Sequence, residues 1–197
     1  MGAVFDNENV CGELICDGIH IHPAVVRTTF KLMPERVCVI SDAMRLSGVE
    51  DGGQGMLGVN MVTVKDGKAT LPDGTIAGSV TNLHAELKNL VSWGIPLETA
   101  VRAMTLTPAK EIGMENEIGS LREGKKADVI LIDLNQPSLA PVITYPFRNL
   151  VANLVYSARG SEVRTSIIDG NIVMENGVVT TVDEAAIVRE ANEAARE

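Results

Sequence analysis

An unbroken apolar run that ends in a carboxylate limits what this chain can become. Residues 37–41, Val37-Cys38-Val39-Ile40-Ser41, show no polar alternation before Asp42. A strand with one wet face alternates polar and apolar residues, so a run without alternation belongs to a strand buried on both faces, as in a parallel sheet covered by helices. Asp42 stands where that strand ends. In (β/α) architectures the C-terminal strand ends hold the chemistry, which makes an acidic residue there a candidate general base or metal ligand. The plainer alternative is a turn or capping aspartate. Just upstream, Glu13-Leu14-Ile15-Cys16 is a second short apolar strand, running into Asp17-Gly18-Ile19-His20. Between the two, Val25, Val26, Phe30 and Met33 fall at helical spacing behind Pro23, a residue suited to a first turn. Strand, helix and strand make a βαβ unit of about 30 residues, which is normally right-handed and parallel. Two successive strand ends therefore point at one pocket.

Charge and cysteine usage narrow the partners. With 45% hydrophobic and 22% charged residues the chain reads as an ordinary globular protein rather than a disordered or fibrous one. A net charge of -9 argues against nucleic acid and against an anionic membrane as partners. A small anionic substrate stays compatible, because helix N-termini and single basic residues hold phosphates in acidic proteins. There is no apolar run near 18 residues and no basic-then-apolar N-terminus, so neither a membrane span nor a secretion signal is expected. Of Cys11, Cys16 and Cys38, two lie inside predicted strands, and an odd, strand-embedded set favours a reducing cytoplasm over a disulfide framework.

Along the rest of the chain, the polar residues 1–10 read as a loop entering the first strand, and Gly48, Gly52, Gly53, Gly55 and Gly58 mark a loop too glycine-rich for a helix or core strand. An inserted β-hairpin is expected over about residues 59–71, turning at Asp66-Gly67. Residues 82–93 read as a helix with Leu83, Leu87, Leu90 and Val91 on one face, closed by Gly94. A second helix follows Pro96, and a short third one runs from Thr107 to Gly113. From Glu117 the pattern turns to strands at residues 127–133, 163–168, 171–175 and 178–182, with Asp169-Gly170 and Asn176-Gly177 turns, and then to a helix capped by Asp183.

Three motifs carry a specific resemblance. Asp17-Gly18-Ile19-His20, then Ser41-Asp42-Ala43 with Asp42 22 residues after His20, then Ile76-Ala77-Gly78-Ser79, resemble the N-acetylglucosamine-6-phosphate deacetylase family of the amidohydrolase superfamily over residues 3–113. The resemblance implies that Asp42 is the catalytic acid/base on the eighth barrel strand and that His20 contacts substrate and polarises the acetamide carbonyl. It likewise implies that Asp17, Gly18, Ile76, Ala77 and Gly78 line a sugar pocket. The implied chemistry is amide hydrolysis by water activated on a divalent metal, zinc or iron, with a base that later protonates the departing amine. The family's ligands are a glutamate and two histidines on earlier barrel strands; no complete set is present here, with Asp42 at most an additional ligand. His22 and His84 read as structural or solvated.

The implied fold is α/β: the last two strands and helices of a (β/α)8 TIM-type barrel plus a small β-sandwich segment. Its parts are residues 1–115 for the partial barrel, 116–182 for the sandwich part and 183–197 for the closing helix. The tail departs from the deacetylase pattern. Asp133-Leu134-Asn135-Gln136-Pro137 and the stretch from Leu154 to Val163 resemble amidohydrolase deaminases of adenosine-type or triazine substrates, while residues 118–128 are common to both branches. Two further readings follow: a hydrolytic deaminase, which would release ammonia and no acetate, and a non-catalytic barrel fragment or assembly subunit.

Two parallel strands without six barrel partners leave edges and apolar sides open, and both features template association. The chain is expected to pair with itself or with a complementary barrel fragment, covering Leu14, Ile15, Val37 and Val39. Size-exclusion chromatography with light scattering should show a dimer or larger species; a compact monomer near 21 kDa would contradict this.

Overall fold

The run ending at Asp42 and the run ending at Asp17 lie side by side as parallel strands in the computed structural model, whose described residues are 2–195. Strand β1 (Gly12–Leu14) and strand β2 (Val37–Val39) pair with Gly12 opposite Val37 and Leu14 opposite Val39. The pairing reaches one residue further, where the Ile40 amide donates to the Leu14 carbonyl at 3.0 Å. Three backbone pairs at about 1 kcal/mol net each would not hold such short strands. Burial does: Val26, Phe30, Val37, Val39 and Leu90 are all at most 4% exposed, and each contributes on the order of 1.5–3 kcal/mol by leaving water.

The chain divides into two units, residues 1–120 and 121–197. In the first, helix α1 (Gly2–Asp6) precedes β1, and α2 (Pro23–Leu32) crosses from β1 to β2. The helix α1 replaces the loop expected over residues 1–10. Its cause is Arg36, whose guanidinium donates to the carbonyls of Val4, Phe5, Asn7 and Val10 at 2.7–3.4 Å. One fork of fixed donors thereby satisfies carbonyls that the end of a short helix leaves unpaired.

Helices α3 (Leu83–Ser92), α4 (Leu97–Met104) and α5 (Leu106–Glu111) follow. With α2 they enclose a core of Cys16, Val26, Phe30, Met33, Val37, Val39, Leu90, Ile95, Ala100 and Ala103. Val37 and Val39 are thus covered by this unit's own helices, which corrects the expectation that they stand open. Leu14 and Ile15 are half-buried, and among the described residues β1 and β2 each keep one edge without a strand partner. A second correction concerns α3. Its buried positions are Glu86 and Leu90, one turn apart, whereas Leu83 is 42% exposed. The helix is rotated so that a carboxyl faces inward.

A four-stranded antiparallel sheet hangs from the end of β2. It comprises β3 (Gln54–Leu57), β4 (Asn60–Lys65), β5 (Lys68–Thr70) and β6 (Ile76–Gly78) in that order. Strand β3 lies where glycines pointed to a loop. Gly55 is tolerated because Leu46 occupies the space of a side chain there: a Cβ would meet Leu46 Cδ2 at 2.7 Å. Leu46 joins Val62, Val64 and Ala69 in a second small core.

In the other unit, β7 (Val129–Ile132), β8 (Val163–Ile168), β9 (Asn171–Glu175) and β10 (Val178–Val179) form one antiparallel sheet in the order β10-β9-β8-β7. Asp169, Gly170, Asn176 and Gly177 all have positive φ, the conformation that two-residue hairpin turns demand. Residues 134–162 show little periodicity and are held mainly by side-chain bonds to backbone. The Glu162 carboxylate takes the Ser138 hydroxyl and the amides of Arg159 and Gly160, bonds led by Ser138 that pull its pKa down to about 2. Between them run a 3-10 turn at Pro137–Leu139, the short helix α6 (Leu150–Ala152) and a π-wound turn at Asn153–Ser157. Helix α7 (Glu184–Ala194) starts at Asp183, whose carboxylate accepts from the Ala186 amide at 2.9 Å. No helix among the described residues is long and apolar enough to cross a membrane.

Candidate functional site

Register decides which residues share a strand end. Because Leu14 pairs with Val39, Asp17 and Asp42 each lie three residues past the same rung and so leave the same end of the parallel pair.

Past β1, the chain turns sharply at Asp17-Gly18. One oxygen of Asp17, Oδ1, accepts the amides of Ile19 at 2.8 Å and His20 at 3.0 Å, and Oδ2 meets His20 Nδ1 at 2.8 Å. Burial would raise the Asp17 pKa, but the His20 and Ile19 amides and the His20 ring outweigh it and hold the carboxyl below its ordinary range. An ionised carboxylate only accepts, so Nδ1 carries the proton and Nε2 is left for a ligand. The Asp17 side chain is 6% exposed and that of His20 20%; the carboxylate is the buried member and the ring the accessible one. Gly18 makes the turn possible: its φ is +79°, and a Cβ would meet the Trp93 indole at 3.2 Å.

Past β2, Asp42 has φ +46°. Among the described residues the other non-glycine ones with positive φ are Asp66, Asp169 and Asn176, each followed by glycine in a hairpin turn. Asp42 precedes alanine instead. Asp tolerates this region better than most residues, yet an exposed one held there outside a tight turn marks a constraint set by its surroundings. The constraint is visible in the backbone. The Ser79 amide approaches the Asp42 carbonyl at 3.4 Å, the Met44 amide donates to the Ser79 carbonyl at 2.9 Å, and Ala43 and Ser79 form a parallel bridge. The Ser41-Asp42-Ala43 and Ile76-Ala77-Gly78-Ser79 segments are thereby stitched together. Ile76 is 40% exposed, Ala77 packs against the Leu46 core, and Gly78 abuts Met44, whose Sδ would lie 3.5 Å from an added Cβ.

The structure thus joins Asp42 to Ile76, Ala77 and Gly78, and holds Asp17, Gly18 and His20 as a separate turn at the same strand ends. Among the described residues no hydrogen bond links the two groups. His22 caps α2 by accepting the Ala24 amide at 3.2 Å, and His84 is exposed on α3. No three His, Cys, Asp or Glu side chains converge as a metal-ligand group among the described residues. These residues do not by themselves fit a metal centre.

Two residues that hold the backbone beside these motifs are not legible as such in the sequence. From α3, Glu86 Oε2 accepts the Cys16 amide at 2.9 Å and Asn89 Nδ2 donates to the Cys16 carbonyl at 3.0 Å. Together they grip the peptide just before Asp17. Glu86 is fully buried and its Oε1 has no partner among the described residues. Burial pushes its pKa up to about 7; the Cys16 amide opposes this, the Asp17 charge adds to it, and the His20 ring opposes it. The available signal was position: Glu86 lies one turn from Leu90, on the stripe that a closer count of helical spacing assigns to the core.

Comparison with known proteins finds a family and several relatives. Residues 7–173 match the family described as Amidohydrolase family. The chain is 36% identical over 121 residues to N-acetylglucosamine-6-phosphate deacetylase of Vibrio furnissii, covering 61% of this chain and 30% of that protein. It is 46% identical over 93 residues to 5-methylthioadenosine/S-adenosylhomocysteine deaminase of Moorella thermoacetica, covering 47% of this chain and 21% of that one. Among solved structures, N-acetylglucosamine-6-phosphate deacetylase of Thermotoga maritima superposes with a TM-score of 0.67 at 26% identity, over 89% of this chain and 41% of that chain. The chain therefore spans under half the length of each of these relatives.

The two carboxyls have opposite pH signatures. Glu86 is raised from 4.5 to about 7, so between those values the folded chain holds more protons than the unfolded one and stability falls as pH rises. Asp17, held low, loses its contribution only as pH falls below about 4. Urea unfolding followed by Trp93 fluorescence should show stability declining from pH 4.5 to 7 in the wild type and a flatter profile in Glu86→Gln. An identical slope in both proteins would contradict the assignment.

Proposed function

The chain belongs to the amidohydrolase family, and from that premise we propose that it carries the proton-transfer and substrate-contact residues of a deacetylase. The substrate is N-acetylglucosamine 6-phosphate and the products are glucosamine 6-phosphate and acetate. The observation that carries the reading is the shared strand end, with Asp42 and the Asp17-held His20 three and six residues past one rung of a parallel pair.

In this reading Asp42 accepts a proton from the attacking water and returns it to the amine nitrogen as the carbon–nitrogen bond breaks, so one carboxyl serves as base and then as acid. His20 Nε2 lies against the acetamide carbonyl. With Nδ1–H committed to Asp17, Nε2 donates only when the ring is protonated. A donor fixed before reaction stabilises the developing oxyanion without reorganising. Gly18 and Gly78 let backbone approach the sugar closely. A divalent metal, zinc or iron, would activate the water when bound; the residues described here do not fit its ligand set, and the chain alone is expected to release little acetate.

Within that architecture we assign β1, α2 and β2 to the last two strands of a (β/α)8 barrel and the sheet of β7 to β10 to part of a β-sandwich. The free edges of β1 and β2 support association with a complementary barrel fragment or with a second copy. The free thiols Cys11, Cys16 and Cys38 support a cytoplasmic setting. The match to the deaminase favours one alternative, ammonia release from adenosine-type compounds.

In a full-length protein containing this sequence, Asp42→Asn should lower acetate release from N-acetylglucosamine 6-phosphate by roughly 10²–10⁴-fold while substrate still binds. Turnover at the wild-type rate would overturn the assignment. Ammonia release from adenosine-type compounds, with none of acetate from the sugar, would assign the deaminase instead.

A further inference from the structure

Glu86 is not needed to explain the fold of α3. A leucine at the same place would extend the stripe ending at Leu90 and avoid burying a charge, which is unfavourable unless it is neutralised or paired. What the carboxyl does is reach across to the last peptide before the Asp17 turn. Cys16 is completely buried, and both of its backbone groups are held by side chains of α3 set three residues apart, the amide by Glu86 and the carbonyl by Asn89. The next residue is Asp17, which orders the His20 amide and ring. An unbroken relay runs from Glu86 through one peptide to the ring offered to substrate.

We propose that Glu86 is a positioning residue with a proton of its own: through the Cys16 amide it fixes the turn that presents His20, and its protonation state is coupled to that of the Asp17–His20 pair. Its importance for turnover rests on the deacetylase reading; the relay itself does not.

The groups facing the carboxyl define the coupling. From the β1 side these are the Cys16 thiol, held neutral because burial raises its pKa to about 12, the Asp17 carboxylate and the His20 ring. From the other elements, His84 on α3 is exposed, as are Glu98 and Arg102 on the adjacent α4, where Arg102 pairs with Glu35. Asp17 and His20 act in opposite directions on Glu86, the aspartate opposing its ionisation and the imidazolium favouring it. Interacting groups of this kind release their protons as a set. With one oxygen bonded to an amide and the other without a partner among the described residues, burial keeps the neutral acid the main form up to about pH 7. Ionisation then strengthens the hold on the Cys16 amide, since a carboxylate accepts about twice as strongly as a neutral oxygen.

The test is an NMR titration of the 197-residue chain labelled with ¹³C and ¹⁵N, without substrate or metal. One glutamate Cδ resonance should titrate with a midpoint well above those of the other glutamates and vanish in Glu86→Gln. The Cys16 amide should show a step at that same midpoint. In Glu86→Gln, which keeps an acceptor for the amide, the Cys16 step should disappear. Asp17→Asn should move the Glu86 midpoint down, a result available even if the glutamine variant folds poorly. A Glu86 carboxyl that titrates with the other glutamates, or a Cys16 amide that ignores its ionisation, would overturn the proposal. Because no turnover is measured, these outcomes stand apart from the acetate and ammonia results that decide the reaction.

Discussion

The rung between Leu14 and Val39 is the constraint on which the site depends. Side-chain direction in a strand has a period of two, so a one-residue slip of β1 against β2 would turn Cys16 out of the core and place Asp17 and Asp42 at different heights. The register is held by burial rather than by the ladder, because three pairs are few and Val37 and Val39 are locked under α2, α3 and α4. Packing energy remote from the chemistry thus sets the position of both acidic residues.

The same division of labour recurs at the turn and at Asp42. The turn after β1 contains no regular structure, yet side chains hold its backbone: Glu86 and Asn89 hold Cys16, and Asp17 holds Ile19 and His20. Breaking a buried hydrogen bond of this sort is costly, because it strands a polar group away from water. At Asp42 the positive φ is maintained from outside, by the backbone bonds to Met44 and Ser79 and by the small sheet packed on Leu46. The inserted sheet is therefore more than an appendage; it holds the strand end in the conformation that presents the carboxylate.

Much of this could be read from the chain, and the parts that could not share a physical reason. The buried strand at residues 37–40, the crossover helix behind Pro23, the Asp-Gly and Asn-Gly turns and the two acidic strand ends follow from periodicity and turn chemistry, which are local. Helix α1 depends on Arg36 reaching back some thirty residues, β3 on Leu46 filling the space beside Gly55, and the inward face of α3 on Cys16, seventy residues away. The inward face was misjudged because Leu83 and Leu87 drew the stripe one position away from Glu86. Cover for Val37 and Val39 was underestimated for a related reason: α3 and α4 supply it, and their contact with the strands is long-range. Residues 134–162, held by Glu162, Asn149 and Asn153 to backbone, carry almost no periodic signal.

The central claim is that the two motifs at the ends of β1 and β2 form one pocket for a phosphorylated amino sugar. The most direct measurement is a ¹H–¹⁵N NMR titration of the 197-residue chain with N-acetylglucosamine 6-phosphate. The account predicts saturable shifts concentrated at Gly18, His20, Asp42, Ala77 and Gly78. Shifts confined to residues 121–197, or none at these five amides at millimolar ligand, would contradict it.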